Sequence, residues 1–213
     1  MRRTLLLTTL FAFGCYGLFF GYTYTSMQKE KEILITNQNN DLSIAYQAVT
    51  QMYRISIENY FNDTIMQPSV LSILREAKVA DDAKKAALRT SLYQQLYPFY
   101  HTTLSKIGIR QFQFHTDLGE SFLRFHNPTE YGDLLSDIRP SIQKVMHEKS
   151  VVIGFEGGRS FPGFRYVFPI IDHDKSYLGS VELSIPYESI EKELSKLLLN
   201  KNSTQLSHID FNN

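Results

Sequence analysis

The sequence predicts an α+β fold: a long N-terminal helix followed by a five-stranded, mostly antiparallel sheet flanked by helices. Two observations carry this. Met27 to Phe61 contains no Gly or Pro, and apolar residues recur there at spacings of three and four, as one face of a helix requires. From Gly108 onward the apolar period shortens to two, with turn residues between short runs, the mark of strands.

The chain opens with Arg2 and Arg3, then LLLTTLFAFGCYGLFFGY from Leu5 to Tyr22 without a charge. At about 1.5 Å per residue this run just reaches across a hydrocarbon core. The basic start favours a cytoplasmic N-terminus, so residues 1–25 are expected to be a single-pass anchor with everything after Tyr24 outside the cytoplasm. A cleaved secretory signal shares the basic start but needs a small-x-small cleavage site, and no good A-x-A stretch follows.

Residues 26–62 are expected as a juxtamembrane helix. Leu42, Ala45, Val49 and Met52 form one stripe, and Tyr46, Tyr53 and Tyr60 fall seven apart beside it. Two accounts stay open: both stripes pack on the protein's own body, or they form a parallel homodimer contact.

A folded domain is expected over 63–200. Ser69 to Ala77 is helical with Val70, Ile73 and Leu74 on one face; Asp81 or Asp82 caps a further helix reaching about Lys106, kinked at Pro98. Ile109, Phe112 and Phe114 alternate with polar residues, Asp117-Leu118-Gly119 turns, and Phe122, Leu123 and Phe125 return as a hairpin. Leu134 to His147 reads as a short amphipathic helix interrupted near Pro140. Strands follow at Val151 to Phe155, Arg165 to Ile171 and Tyr177 to Ile185, the last two joined by a turn at Asp172 to Lys175. Tyr187 to Leu199 is an amphipathic helix, and 201–213 a polar tail expected to be mobile.

Composition narrows function. The 22 Lys and Arg are scattered along the chain and matched by 22 Asp and Glu, so no nucleic-acid partner is expected. Cys15, the sole cysteine, lies in the apolar run and leaves the rest without a thiol site or disulfide framework. Asp172-His173-Asp174 sits where a turn is needed, and His101, His115, His147 and His208 fall in separate elements, so neither metal nor cofactor is expected.

Arg124 and His126 share one face of their strand, offering a planar donor fork and an imidazole. Gly154, Gly157, Gly158 and Gly163 form a flexible stretch bracketed by Glu156, Arg159 and Arg165, which lacks the Gly-Lys-Ser/Thr of a phosphate-binding loop.

More specific than element order are the runs Ile109-Arg-Gln-Phe-Gln-Phe-His115, Gly119-Glu-Ser-Phe-Leu-Arg-Phe-His126, Tyr131-Gly-Asp133, Ile138-Arg-Pro140, Gly154-Phe-Glu-Gly-Gly-Arg159, Arg165-Tyr-Val-Phe-Pro-Ile170 and Gly179-Ser-Val-Glu182. Together they resemble the double Cache, PAS-like sensory domains of bacterial histidine kinases, diguanylate cyclases and chemoreceptors, over about Met27 to Ile185. The resemblance implies an extracytoplasmic domain on the bacterial inner membrane, in the periplasm or extracellular space. It also carries a pocket role to Arg124, His126, Glu156, Arg159 and Arg165, with Phe155 among the aromatics that cover a ligand. Nothing after Leu199 is apolar enough to span a bilayer, so the second subdomain and output module of such sensors are not expected here. Binding of a small anionic or zwitterionic ligand needs no chemistry, and no nucleophile elbow or paired-His motif suggests an enzyme. The competing reading is an anchored interaction protein with a vestigial pocket.

Overall fold

The computed structural model describes residues 2–157 and 162–207, and the side chains of 10–157 and 162–199. It divides into two compact units, Met1–Gln47 with Leu197–Asn213, and Ala48–Lys196.

The first unit is helical. It holds the first part of α1 (Arg2–Tyr60) and the last part of α5 (Tyr187–Ser207). With no Pro in its length and only Gly14, Gly17 and Gly21, α1 has nothing to break it. Among the described residues no helix is long and apolar enough to cross a membrane; the expected span begins at Leu5, and side chains up to Thr9 lie outside the described set. Helix α5 continues to Ser207, past the point where a tail was expected, and 208–213 lie outside the described residues.

The second unit is built on one sheet of order β2-β1-β5-β4-β3, every neighbouring pair antiparallel. Its strands are β1 (Gln111–His115), β2 (Ser121–Arg124), β3 (Val152–Glu156), β4 (Gly163–Ile171) and β5 (Tyr177–Pro186). Alternate residues point to opposite faces. One face carries Phe112, Phe114, Leu123, Tyr166, Phe168, Ile170, Val181, Leu183 and Ile185, all buried in the main core.

Helices cover that face. Val49, Tyr53 and Ile57 of α1 are buried at intervals of four, whereas Leu42 and Met52 of the expected stripe are about half exposed; the buried row follows i, i+4 rather than the predicted mixed spacing. Helix α2 (Pro68–Val79) begins with Pro68, whose missing N–H costs nothing there, and buries Val70, Leu71 and Leu74. Helix α3 (Asp82–Phe99) starts where the Asp81 carboxylate accepts from Lys84 N–H at 2.8 Å. It ends at Phe99 rather than near Lys106. Pro98 cannot donate within the ladder, and the chain passes into a π-helical turn, Tyr100–Leu104, a transition typical of an interrupted ladder.

One local expectation is corrected. Helix α4 spans only Pro140–Glu148: Pro140 occupies the first turn and starts the helix instead of interrupting one, while Leu134 bridges to Glu120. The Asp172–Lys175 turn forms as expected, but Asp172 also takes a two-pronged ion pair from Arg75 of α2, at 2.6 and 2.9 Å. Gly179 is required by close approach: its φ is +137°, and a Cβ there would lie 2.1 Å from the His115 carbonyl oxygen.

Candidate functional site

The other face of the sheet is polar and mostly buried. Gln111, Gln113 and His115 of β1, Arg165 of β4, and Ser180, Glu182 and Ser184 of β5 are all buried. Strand register places them together: Gln111 lies opposite Ser184, Gln113 opposite Glu182, and Arg165 opposite Ser184. Helix α4 covers the β3–β4 side of this face, where Leu135, Ile142, Val145 and Val167 form a small second core.

Burying two charges is costly unless each is matched and hydrogen-bonded. Here Arg165 Nη1 donates to Gln111 Oε1 at 2.6 Å, Glu182 Oε1 at 2.7 Å and Ser184 Oγ at 3.0 Å. Gln113 Nε2 donates to Glu182 Oε2 at 2.8 Å, and Arg139 Nη2 reaches both Glu182 oxygens at 3.1 and 3.3 Å. Burial alone would raise the Glu182 pKa, but Arg139 and Arg165 outweigh it and hold the carboxylate at about 2. Burial pushes His115 down to about 4, so it is neutral at pH 7 with Nδ1 at 2.9 Å from Ser180 Oγ.

The segment from Asn127 to Arg139 closes over the open end. Arg124 of β2 grips it, donating to both Asp133 oxygens at 2.7 and 2.8 Å and to the Glu130 carbonyl at 2.9 Å. Arg139, at the far end, returns to the sheet through Glu182 and Glu156. Glu156 also accepts from Ser141 N–H at 3.1 Å, in the first turn of α4. Between these two crossings lies a cavity of about 190 Å³, lined by Gln113, Arg124, His126, Asn127, Asp133 and Arg139 among others.

Arg124 and His126 therefore sit in this cavity wall, His126 exposed at its rim with its pKa lowered by packing around it and by Arg124. Arg165 is 1 % exposed and forms the floor. Glu156 stands behind the wall as the partner of Arg139. Phe155 points to the opposite face, 58 % exposed and edge-on to Phe164; one residue of strand period separates it from its neighbour Glu156. Arg159 lies outside the described residues. Sequence reasoning missed Gln111, Gln113, Asp133, Arg139 and Glu182. The alternation Gln111, Gln113, His115 and Ser180, Glu182, Ser184 was the signal available for those on β1 and β5.

The arrangement can hold a small polar molecule by hydrogen bonds. Each of Arg124, Arg139 and Arg165 already faces a carboxylate of the protein itself.

Residues 65–200 match the family described as double sensory domain of two-component sensor kinase. No curated protein matches the chain significantly in sequence. Among solved structures it is similar to the sensor domain of the histidine kinase DctB of V. cholerae, at 12 % identity and TM-score 0.52, covering 73 % of this chain and 58 % of that one. It is also similar to the sensory domain of the Campylobacter jejuni chemoreceptor Tlp3 with isoleucine bound, at 13 % identity and TM-score 0.49, covering 78 % and 64 %. The chain thus spans less than two thirds of these structures.

Proposed function

The chain belongs to the family of double sensory domains of two-component sensor kinases, and from that premise we propose that it senses a small polar ligand on the polar face of its sheet. The observation that carries this is the cavity between Arg124 and Arg139, roofed by a segment that both arginines fasten. A ligand carrying a carboxylate replaces Asp133 in the Arg124 fork, releasing 127–139. An amino group finds Asp133 and Glu130 within the same lining. Anionic and zwitterionic ligands are both suited to it, and Arg124, His126 and Arg139 are the residues that touch them, with Arg165 and Glu156 holding the frame.

Family membership supports a position outside the cytoplasm, and we assign Leu5 to Tyr22 as the anchor in the bacterial inner membrane on charge and length. The signal passes to α1, whose Ile35, Leu42 and Tyr46 are exposed and offer a homodimer contact, as a shift of population set by the ligand's differential affinity. A thermal-shift screen of the full chain in detergent against small carboxylates, amines, nucleobases and phosphates tests the reading. A stabilising ligand whose effect disappears in Arg124→Ala supports it; a folded protein that responds to none, or responds equally with Arg124→Ala, defeats it.

One observation favours a second reading. Because Arg124, Arg139 and Arg165 are matched internally, the cavity is chemically complete without a guest, as a vestigial pocket in a partner-binding protein is.

A further inference from the structure

A second groove lies on the other side of the 127–139 segment, about 380 Å³ in volume, between α3 and the start of β2. Its lining includes Lys85 and Arg89 of α3, Ser121 and Phe122 of β2, and Tyr131 and Gly132 of the segment. Arg89 is fixed there as a flat plate. Its Nε donates to the Phe122 carbonyl at 2.6 Å, and Cζ lies 3.6 Å from the Tyr131 ring centre and 5.3 Å from that of Phe122. Stacking on aromatic faces orients a guanidinium and strips part of its water.

What distinguishes this arginine from those of the first cavity is that no carboxylate among the described residues reaches ion-pair distance of it, Asp82 acting on it only from farther off. Among the described residues, neither Nη of Arg89 has a hydrogen-bond or ion-pair partner, and burial lowers its pKa. Ser121 supplies an independent sign. It is 2 % exposed, lines the groove, and its Oγ has no partner among the described residues, a situation that buried hydroxyls rarely tolerate. A pre-oriented donor fork and an unmatched buried hydroxyl in one groove call for the same kind of guest, an oxygen acceptor. Lys85, one helical turn from Arg89, adds a second cation, while Asp82 and Glu120 line the groove with two negative charges. That balance tolerates a guest of single negative charge better than one of two.

We propose that this groove is a second ligand site, which binds a small monocarboxylate with its oxygens on the Arg89 fork and the Ser121 hydroxyl. Tyr131 and Gly132 form its wall and Asp133 forms that of the first cavity, so one segment serves both sites.

The test uses the full chain in detergent, titrated calorimetrically with sodium acetate and with inorganic phosphate at constant ionic strength. Acetate should saturate the groove at roughly millimolar strength for so small a probe, apart from any uptake by the first cavity. Arg89→Gln should weaken it at least about tenfold, since a charged fork is lost. Ser121→Ala, which leaves the stacking intact, should weaken it by a smaller factor. The proposal is overturned if acetate never saturates, if phosphate binds as tightly as acetate, or if Arg89→Gln and Ser121→Ala both bind normally. Should Arg89→Gln not fold, Ser121→Ala and the wild-type titrations decide alone.

Discussion

The imidazole Nε2 of His115 faces Glu182 Oε2 at 3.9 Å, with both side chains fully buried. The distance is too long for a hydrogen bond, and Nε2 has no partner among the described residues. The pair is a buried carboxylate beside a histidine kept neutral, and its response to acid follows from the two pKa values.

His115 moves from an ordinary 6.5 to about 4 on folding, chiefly through burial. The unfolded chain therefore binds a proton in a range where the folded chain does not. Stability is lost as pH falls from 6.5 to about 4, by about 3 kcal/mol for this group. Glu182, lowered from 4.5 to about 2, extends the loss as pH falls through that lower window. Urea midpoints measured across pH should decline below 6.5, and His115→Gln should flatten the upper part of the decline only. An unchanged slope in that variant would remove His115 as the cause.

Glu182→Ala leaves Arg165 buried with its carboxylate gone, and should destabilise the protein by about 3–5 kcal/mol. Adding Arg165→Met should recover part of that loss, because the uncompensated charge is removed too. A double-mutant cycle in urea measures the coupling; additive costs would show that the two side chains act separately.

Asp133→Asn keeps the shape of the segment but weakens the grip of Arg124 on it. Hydrogen exchange at Ser121, whose N–H is bonded to the Asp133 carbonyl, and at Gly132, bonded to the Ser121 carbonyl, should accelerate while β4 and β5 keep their protection. Equal rates in both proteins would show that the ion pair does not hold the segment down.

Gly179→Ala drives a methyl group into the His115 carbonyl oxygen at a φ that disfavours any side chain. A loss of about 2–4 kcal/mol is expected in chemical denaturation, with β1 and β5 exchanging faster. A variant as stable as the parent would mean that the strand crossing relaxes freely.

The elements that repeat a local pattern were legible. Alternation at Gln111, Phe112, Gln113, Phe114 and His115 marked a two-faced strand, and the pair Asp81 and Asp82 announced the start of α3, with Asp81 proving to be the cap. The site was legible only in fragments, because its pairings are set by register between distant strands. Arg165 is visible as a charge near a Gly-rich stretch, but that Glu182, Gln111 and Ser184 surround it depends on which strands are neighbours. Arg139 looked like part of a helix interrupted by Pro140; its role appears only once Pro140 starts that helix and leaves Arg139 facing the sheet. Phe155 stands one step of the pleat from Glu156 and so faces away from the cavity, a placement that strand register decides and residue type does not.

Strand order also dictates a timetable. β1 is zipped to β2 by a short hairpin, but its other edge waits for β5, and the contact between Gln113 and Glu182 spans 69 residues. Closing so long a loop is slow compared with forming helices or hairpins. A chain emerging from its N-terminus thus carries Gln111 and Gln113 on an open strand edge until β5 arrives, and that interval is when the protein is most exposed to pairing with another chain.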